Sequence, residues 1–320
     1  MKLLYIIGNG FDIALGMKTS YIDFYQYYLS QPSKDTDLIN LKKDIEKHQY
    51  ETWADLEMGL GKYTSSTSTP EVFLKCLEDI KMHLREYLKE QFDRRDYNRD
   101  YNKLLEELYS PETFLDDQVR TRFDSYLNRF ESSYASRRDV SIITLNYTST
   151  IEDILGSRTT YPILHLHGTL DDGMVVGVNN LQQISNKAFQ DELDVIEGFV
   201  KPEYNDSCLN EKNSKARHLI ENANIIVFFG TSLGYSDKSW WKMIGERMID
   251  SKDVLLLAYF PYDKDKDVSL HPNYRRRWNN EYLKRLLYSL DIPIEEMSNV
   301  VDRVCIGLNK QIFALKKKSS

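Results

Sequence analysis

The sequence predicts an α/β protein: a mostly parallel sheet flanked by helices, with a large helical insertion after the first βα unit. Three observations carry this. Short apolar runs recur at 140–145, 162–167, 225–229 and 254–260, and another opens the chain at Lys2 to Ile7. Continuous runs of this length suit strands covered on both faces. The opening run stops at Gly8-Asn9-Gly10, and Phe11, Ala14 and Leu15 follow at helical spacing, which reads as strand, turn and helix start. Residues 20–137 then show helical periodicity before strand signals return. The expected organisation is a sheet domain made of 1–19 and 138–320, interrupted by a helical subdomain of 20–137.

Gly16 ends the first helical turn. Thr19 to Leu29 begins on a Thr or Ser cap and puts Tyr21, Phe24, Tyr25 and Tyr28 on one face, as a core helix does. Gln31-Pro32-Ser33 breaks it. Trp53 to Glu57 starts another helical piece, in which Asp55 and Glu57 stand two apart and share no helical face, so they make no obvious acid/base pair. A Ser/Thr cluster from Thr64 to Thr69 leads through Pro70 into the clearest helix, striped by Val72, Phe73, Cys76, Leu77, Ile80, Leu84, Leu88 and Phe92. A second stripe runs Val119, Phe123, Tyr126, Leu127, Phe130, Tyr134.

Strand signals return at Val140 to Leu145, followed by Asn146-Tyr147-Thr148, and at Pro162 to His167, ahead of Gly168. Met174 to Val178 is expected to be a further strand, whereas 179–218 is polar and without clear period. Ile225 to Phe229 ends in Gly230-Thr231-Ser232-Leu233-Gly234, with Ser236, Asp237 and a helix start at Trp240-Trp241 behind it. Val254 to Phe260 is expected to be the last strand, with helices closing the chain and Lys316-Lys317-Lys318 as a solvated tail.

Composition narrows the function classes. The chain has 320 residues, 41% hydrophobic and 28% charged, enough apolar material for a sizeable core. Its net charge of −7 argues against broad nucleic-acid binding. Cys76, Cys208 and Cys305 are far apart and form no CxxC pair, so neither a disulfide framework nor a zinc site is indicated, and a reducing, cytoplasmic setting fits. No apolar run reaches membrane-spanning length, and the N-terminus reads as a first core strand and not as a signal peptide. The 22 tyrosines are read as packing residues.

Four strand ends thus carry polar or glycine-rich loops: GNGFD, NYT, HLHG and GTSLGYSD. In open α/β sheets that edge is where ligands bind. Gly8 and Gly10 have no side chain to block an anionic group approaching the backbone, although a GxG after a strand is also simply a tight turn. The third glycine of the common dinucleotide fingerprint is missing, Ile13 standing in its place. Asp12 sits in a first helical turn, where the helix dipole favours a carboxylate; it is otherwise positioned to touch a ribose. Asn146 either holds a ligand or caps the helix begun by Thr148. His165 and His167 stand two apart on a strand, hence on one face. They are read as a core histidine and a functional one, and no metal site is expected.

The ordered set of Gly8-Asn9-Gly10, Thr144-Leu145-Asn146, His167-Gly168 and Gly230-Thr231-Ser232-Leu233 resembles the sirtuin NAD-binding fold. GNGFD with its following Thr19, Tyr21, Asp23 and Phe24, the WADLE segment, LNYTSTIE and HLHG together resemble the AbiH family of bacterial phage-defence proteins over most of the chain. The resemblance implies a sirtuin-like, Rossmann-type sheet. It also implies NAD+ glycohydrolase activity in abortive infection, with NAD+ as substrate and no separate cofactor. Three departures bear on this. The four-cysteine zinc module of sirtuin deacylases is absent, which argues against deacylation, the acidic residue after the Asn motif is replaced by Thr148, and the phenylalanine-arginine pair expected after the first helix is not evident beyond Gly16.

Cleaving the nicotinamide–ribose bond passes through an oxocarbenium-like state and needs an acceptor near the ribose hydroxyls or the attacking water. His167 and Asn146 are the candidate catalytic residues. Gly8, Asn9, Gly10 and Phe11 are expected to hold pyrophosphate through backbone donors. Asp12, Thr19, Gly230, Thr231, Ser232 and Asp237 complete the expected NAD site. A phage-derived trigger and a homo-oligomer are the expected partners. The alternatives are a non-catalytic NAD or ADP-ribose sensor, or a nuclease-type toxin using acidic residues such as Asp55 and Glu57.

Overall fold

In the computed structural model of the chain the described residues are 1–131, 137–156, 160–201, 210–261, 272–309, 312–313 and 315. The side chain of Phe130, Tyr134, Cys208 and the terminal Lys316-Lys317-Lys318 lie outside them.

The strands are β1 (Lys2–Ile7), β2 (Asp139–Thr144), β3 (Ile163–His165), β4 (Ile225–Phe229), β5 (Leu255–Pro261) and β6 (Val304–Asn309). They form one sheet in the order β3-β2-β1-β4-β5-β6, every neighbouring pair parallel. This is the doubly wound Rossmann order. Winding reverses between the first and fourth strands, leaving a crevice beyond their carboxyl ends. Parallel strands need crossovers, and here helices supply them. Between β1 and β2 run α1 (Gly10–Ala14), α2 (Tyr21–Ser30), α3 (Thr36–His48), α4 (Leu56–Tyr63), α5 (Pro70–Asp93), α6 (Tyr101–Tyr109) and α7 (Asp117–Glu131). Then α8 (Thr150–Leu155) follows β2, α9 (Leu193–Phe199) and α10 (Asn210–Asn222) follow β3, and α11 (Lys238–Asp250) follows β4. The last two, α12 (Pro272–Ser289) and α13 (Ile294–Val300), lie between β5 and β6.

Side chains alternate across the sheet as strand geometry requires. Leu3, Tyr5 and Ile7 of β1 join a core with Leu104, Leu108, Phe123 and Ile151, so α6, α7 and α8 cover that face. Leu4 and Ile6 join Ile220, Trp241, Ile244, Leu286 and Val300, from α10 to α13, on the other. A third core is built by α2 to α5 around Phe24, Trp53, Phe73 and Ile80, and it takes in Val176, Val178, Phe189 and Phe199. The helices between β1 and β2 are therefore shared between two cores. Ser20 caps α2 through Asp23 N, and Thr69 caps α5 with Pro70 in its first turn.

Two expectations are corrected. Val254 to Phe260 does not end the sheet, because β6 pairs with β5 from Val304 to Asn309. Asp302 and Arg303 shorten its apolar run, and Gly307 interrupts it where the Tyr259 ring packs against the bare backbone. Met174 to Val178 is extended but joins no strand of the sheet; it makes a single bridge, Val178 to Val200, and feeds the third core. The polar stretch 179–218 contains α9 and most of α10. No helix among the described residues is long and apolar enough to cross a membrane.

Candidate functional site

A cavity of about 710 Å³ lies beyond the carboxyl ends of β1, β2 and β4, walled on its outer side by α2, α5 and the start of α4. Its floor is two turns pressed together. Gly10 N–H donates to Gly230 O at 2.7 Å and Gly8 N–H to Phe229 O at 2.9 Å. A Cβ on Gly8 would stand 2.7 Å from Gly230 O, and one on Gly230 2.6 Å from Phe11 N. Gly230 also has φ +68, a left-handed backbone that glycine adopts without strain. The glycines serve the approach of one loop to another.

That corrects the expected anion site. The N–H groups of Gly8 and Gly10 are spent on the β4 turn, and Phe11 N–H donates to Gly8 O at 2.9 Å. The Phe11 ring lies wholly in the core against Phe229 and Phe313. Asn9 and Thr19 line the cavity but hold each other: Asn9 Nδ2 donates to Thr19 O at 2.7 Å and Thr19 Oγ1 to Asn9 Oδ1 at 2.6 Å. Thr231 and Ser232 face the cavity from the β4 turn.

The β1 and β2 loops bring two buried acceptors to the same wall. Asp12, 1% exposed, accepts from Thr148 Oγ1 at 2.5 Å through Oδ2, while its Oδ1 has no hydrogen-bond partner. Burial pushes the Asp12 carboxyl up to about 6, against the lowering effect of Thr148, Thr150 and Asn146. The absence of an acidic residue at Thr148 is thus explained, since its hydroxyl serves Asp12. Asn146, 7% exposed, likewise leaves Oδ1 without a partner. It does not cap α8, whose N-cap is Ser149.

His165 and His167 part company because β3 ends at His165. His165 Nδ1 lies 2.9 Å from Asn146 O and Nε2 2.7 Å from Glu152 Oε1, so it braces the Asn146 loop from outside the cavity. Burial lowers its pKa, but Glu152 and Asn146 outweigh that and raise it. His167 lines the cavity with Nε2 2.9 Å from Asp237 Oδ1.

Behind this pair is a buried charge network that periodicity did not reveal. Lys201 Nζ lies 3.0 Å from Asp237 Oδ1 and 3.0 Å from Glu57 Oε1. Burial would push Asp237 up, but Lys201 and His167 hold it well below the ordinary carboxylate range. Burial lowers Lys201, and Asp237 with Glu57 more than restores it, keeping it charged. Asp55 and Glu57 both line the cavity. Asp55 is the N-cap of α4, accepting from Met58 N at 3.1 Å, and burial with the neighbouring Glu57 pushes it up to about 7. The spacing argument against this pair fails because Asp55 precedes the helix with extended backbone. Lys201 lay in the stretch without period. In the sequence it simply follows Phe199-Val200 and precedes Pro202, which gives no sign of burial.

Of the residues expected at the site, Gly8, Asn9, Gly10, Asp12, Thr19, Asn146, His167, Gly230, Thr231, Ser232 and Asp237 all line one cavity; Phe11 does not. No group of three His, Cys, Asp or Glu suited to a metal occurs among the described residues.

No curated protein matches the chain. Among solved structures, the crystal structure of a Sir2 homolog–NAD complex is similar at 11% identity, covering 98% of this chain and 85% of that one, with a TM-score of 0.36. So low a score is a weak likeness, and the Rossmann-type assignment stands on strand order and register. The family model described as "Bacteriophage abortive infection AbiH" matches residues 4–259, from β1 into β5. That span takes in both glycine turns, the Asn146 and His167 loops, and the whole Glu57–Lys201–Asp237 network, and the chain belongs to the AbiH family.

Proposed function

We propose that this chain hydrolyses the nicotinamide–ribose bond of NAD+ in phage abortive infection. The observation that carries the reading is the pair of buried, unpartnered acceptors, Asp12 Oδ1 and Asn146 Oδ1, on one cavity wall at the switch point of the sheet. A buried acceptor left unpaired costs about 1–3 kcal/mol. Two together suit a ligand that brings hydroxyl donors, as a ribose diol does.

Charge supports the same ligand. Asp12, Asp55, Glu57 and Asp237 line the cavity, and Lys201 neutralises only part of their charge. A pocket with excess carboxylate favours a pyridinium ring and the positive sugar of an oxocarbenium-like transition state. In this reading Asn146 and Asp12 accept from ribose hydroxyls. His167, braced by Asp237, accepts from a ribose hydroxyl. The Thr231 and Ser232 hydroxyls and the Asn9 N–H face the pyrophosphate, while Gly8, Gly10, Gly230 and Thr19 shape the floor. Membership of a phage abortive-infection family supports a cytoplasmic activity that is restrained until a phage-derived trigger acts, with homo-oligomer formation as one means of restraint.

The test is release of free nicotinamide from NAD+ by the purified chain and by Asn146→Ala and His167→Ala. Release by the parent that drops in both variants supports hydrolysis. Tight NAD+ binding by the parent with no nicotinamide released would make the pocket a sensor instead.

A further inference from the structure

The hydrolase reading leaves open what takes the proton of the attacking water. His167 Nε2 is turned to Asp237, and Asp237 is clamped by Lys201. Glu57 is committed as well: Lys201 holds Oε1 at 3.0 Å, and Tyr21 donates to Oε2 at 3.5 Å. Asp55 differs from all of these. Its Oδ1 accepts from Met58 N, which fixes the side chain at the head of α4. Its Oδ2 makes no hydrogen bond among the described residues and lies 3.1 Å from where a Cβ of Gly234 would stand, beside the loop that carries Ser232. Of the carboxylates lining the cavity, it is the half-buried one with an oxygen open to water.

We propose that Asp55 is the catalytic base for water attack on the nicotinamide ribose, with Glu57 and Lys201 as the positioning pair behind it. The proposal rests on the hydrolase reading. Asp12 and Asn146 point independently to a ligand here, since each presents a buried, unpartnered oxygen on the wall that the β1 and β2 loops build.

The step balances without a further reactant. As the water oxygen bonds to C1′, its proton passes to the Asp55 carboxylate. The C1′–N1 bond breaks with its electron pair going to nitrogen, which neutralises the pyridinium. ADP-ribose and nicotinamide leave, and Asp55 returns the proton to solvent.

The groups facing Asp55 suit that work. Burial and Glu57 raise its pKa, Lys201 lowers it and Asp237 raises it, leaving it at about 7, where a base is both available and strong enough at cellular pH. The other titratable neighbours are Tyr21 and Tyr25 of α2 and Tyr147 after β2, all pushed up by burial and therefore neutral phenols.

The test compares parent with Asp55→Asn, in which asparagine keeps the N-cap role. Nicotinamide release and NAD+ affinity are both measured from pH 5.5 to 9. The expected parent rate climbs through pH about 7. In the variant that limb is lost and release is at least about a hundredfold slower, with NAD+ affinity within a few fold of parental. A parent that releases nicotinamide while Asp55→Asn releases it at the parental rate overturns the role of Asp55 alone. A parent that releases none overturns the hydrolase reading beneath it. Should the variant fail to fold, the parent's own profile decides: a rate flat across pH 7 overturns the proposal.

Discussion

Replacing Asp12 by asparagine tests whether the carboxylate over β1 is held at a cost to stability. The Asp12 carboxyl is fully buried, and one oxygen accepts from Thr148 at 2.5 Å while the other has no partner. Burial raises its pKa from 3.8 to about 6. The sign follows from linkage. The folded state binds this proton more tightly than the unfolded state, so folded stability is greatest when the group is protonated. It declines as pH rises from about 4 to about 6 and is level above. The interval between 3.8 and about 6 corresponds to about 3 kcal/mol of destabilisation at neutral pH. An asparagine in its place keeps the acceptor for Thr148 and carries no charge. The Asp12→Asn variant is therefore expected to gain on the parent as pH rises from 4 to 7, by about 2 kcal/mol over that interval. At the same time it loses the anionic acceptor that the hydrolase reading assigns to ribose, so NAD+ affinity falls. Urea unfolding at pH 4, 5, 6 and 7, followed by tryptophan fluorescence, reads the first effect, and calorimetry with NAD+ reads the second. A parent–variant difference constant across these pH values would refute the reasoning, because it would mean that Asp12 binds its proton equally well in the folded and unfolded states.

Three other outcomes are expected. Lys201→Met leaves Glu57 and Asp237 buried without their shared cation and destabilises the chain by about 3–5 kcal/mol at pH 7; Asp237, which Lys201 holds low, then rises in pKa, so the loss shrinks as pH falls toward 4, as thermal unfolding across pH would record. Gly230→Ala combines φ +68 with a Cβ placed 2.6 Å from Phe11 N, and is expected to cost about 2 kcal/mol or more in chemical denaturation. Phe313→Ala empties a ring site packed against Tyr5, Phe11 and Phe229, and is expected to cost about 3–5 kcal/mol in the same assay while removing no side chain that lines the cavity.

The sheet was legible wherever a strand is apolar from end to end. Lys2 to Ile7 and Ile225 to Phe229 announce themselves because both of their faces are buried. β6 was not legible, since Asp302, Arg303 and Gly307 break its pattern and its partner lies some fifty residues upstream. Met174 to Val178 misled for the opposite reason: alternating apolar residues there serve a helix-lined core and not a ladder. The loops after β1, β2 and β4 were legible as a site because topology alone brings strand ends to one edge. Their hydrogen bonding was not. A GxG turn reads alike whether its N–H groups meet a phosphate or another turn, and here Gly230 O takes one of them. The charge network was the least legible part. Glu57, Lys201 and Asp237 come from three separate elements, and spacing carries no information about residues that meet only through the fold.

The spent backbone donors and the unspent acidic side chains fit together. In a dinucleotide site built on free turn amides, affinity is anchored at the phosphates. Here Gly8, Gly10 and Phe11 have given their amides to internal bonds, and the cavity wall presents carboxylates with incomplete partners. On the hydrolase reading, binding free energy is then concentrated on the sugar and the cationic ring, the part of NAD+ whose bond would be broken. Interactions at the reacting centre strengthen as positive charge moves onto the ribose, whereas contacts to a distant pyrophosphate are the same in ground and transition states. A glycine turn closed on itself, with Asp12, Asn146 and Asp55 around one cavity, is the polarity that the proposed cleavage calls for, and storage of a bound nucleotide would call for free turn amides instead.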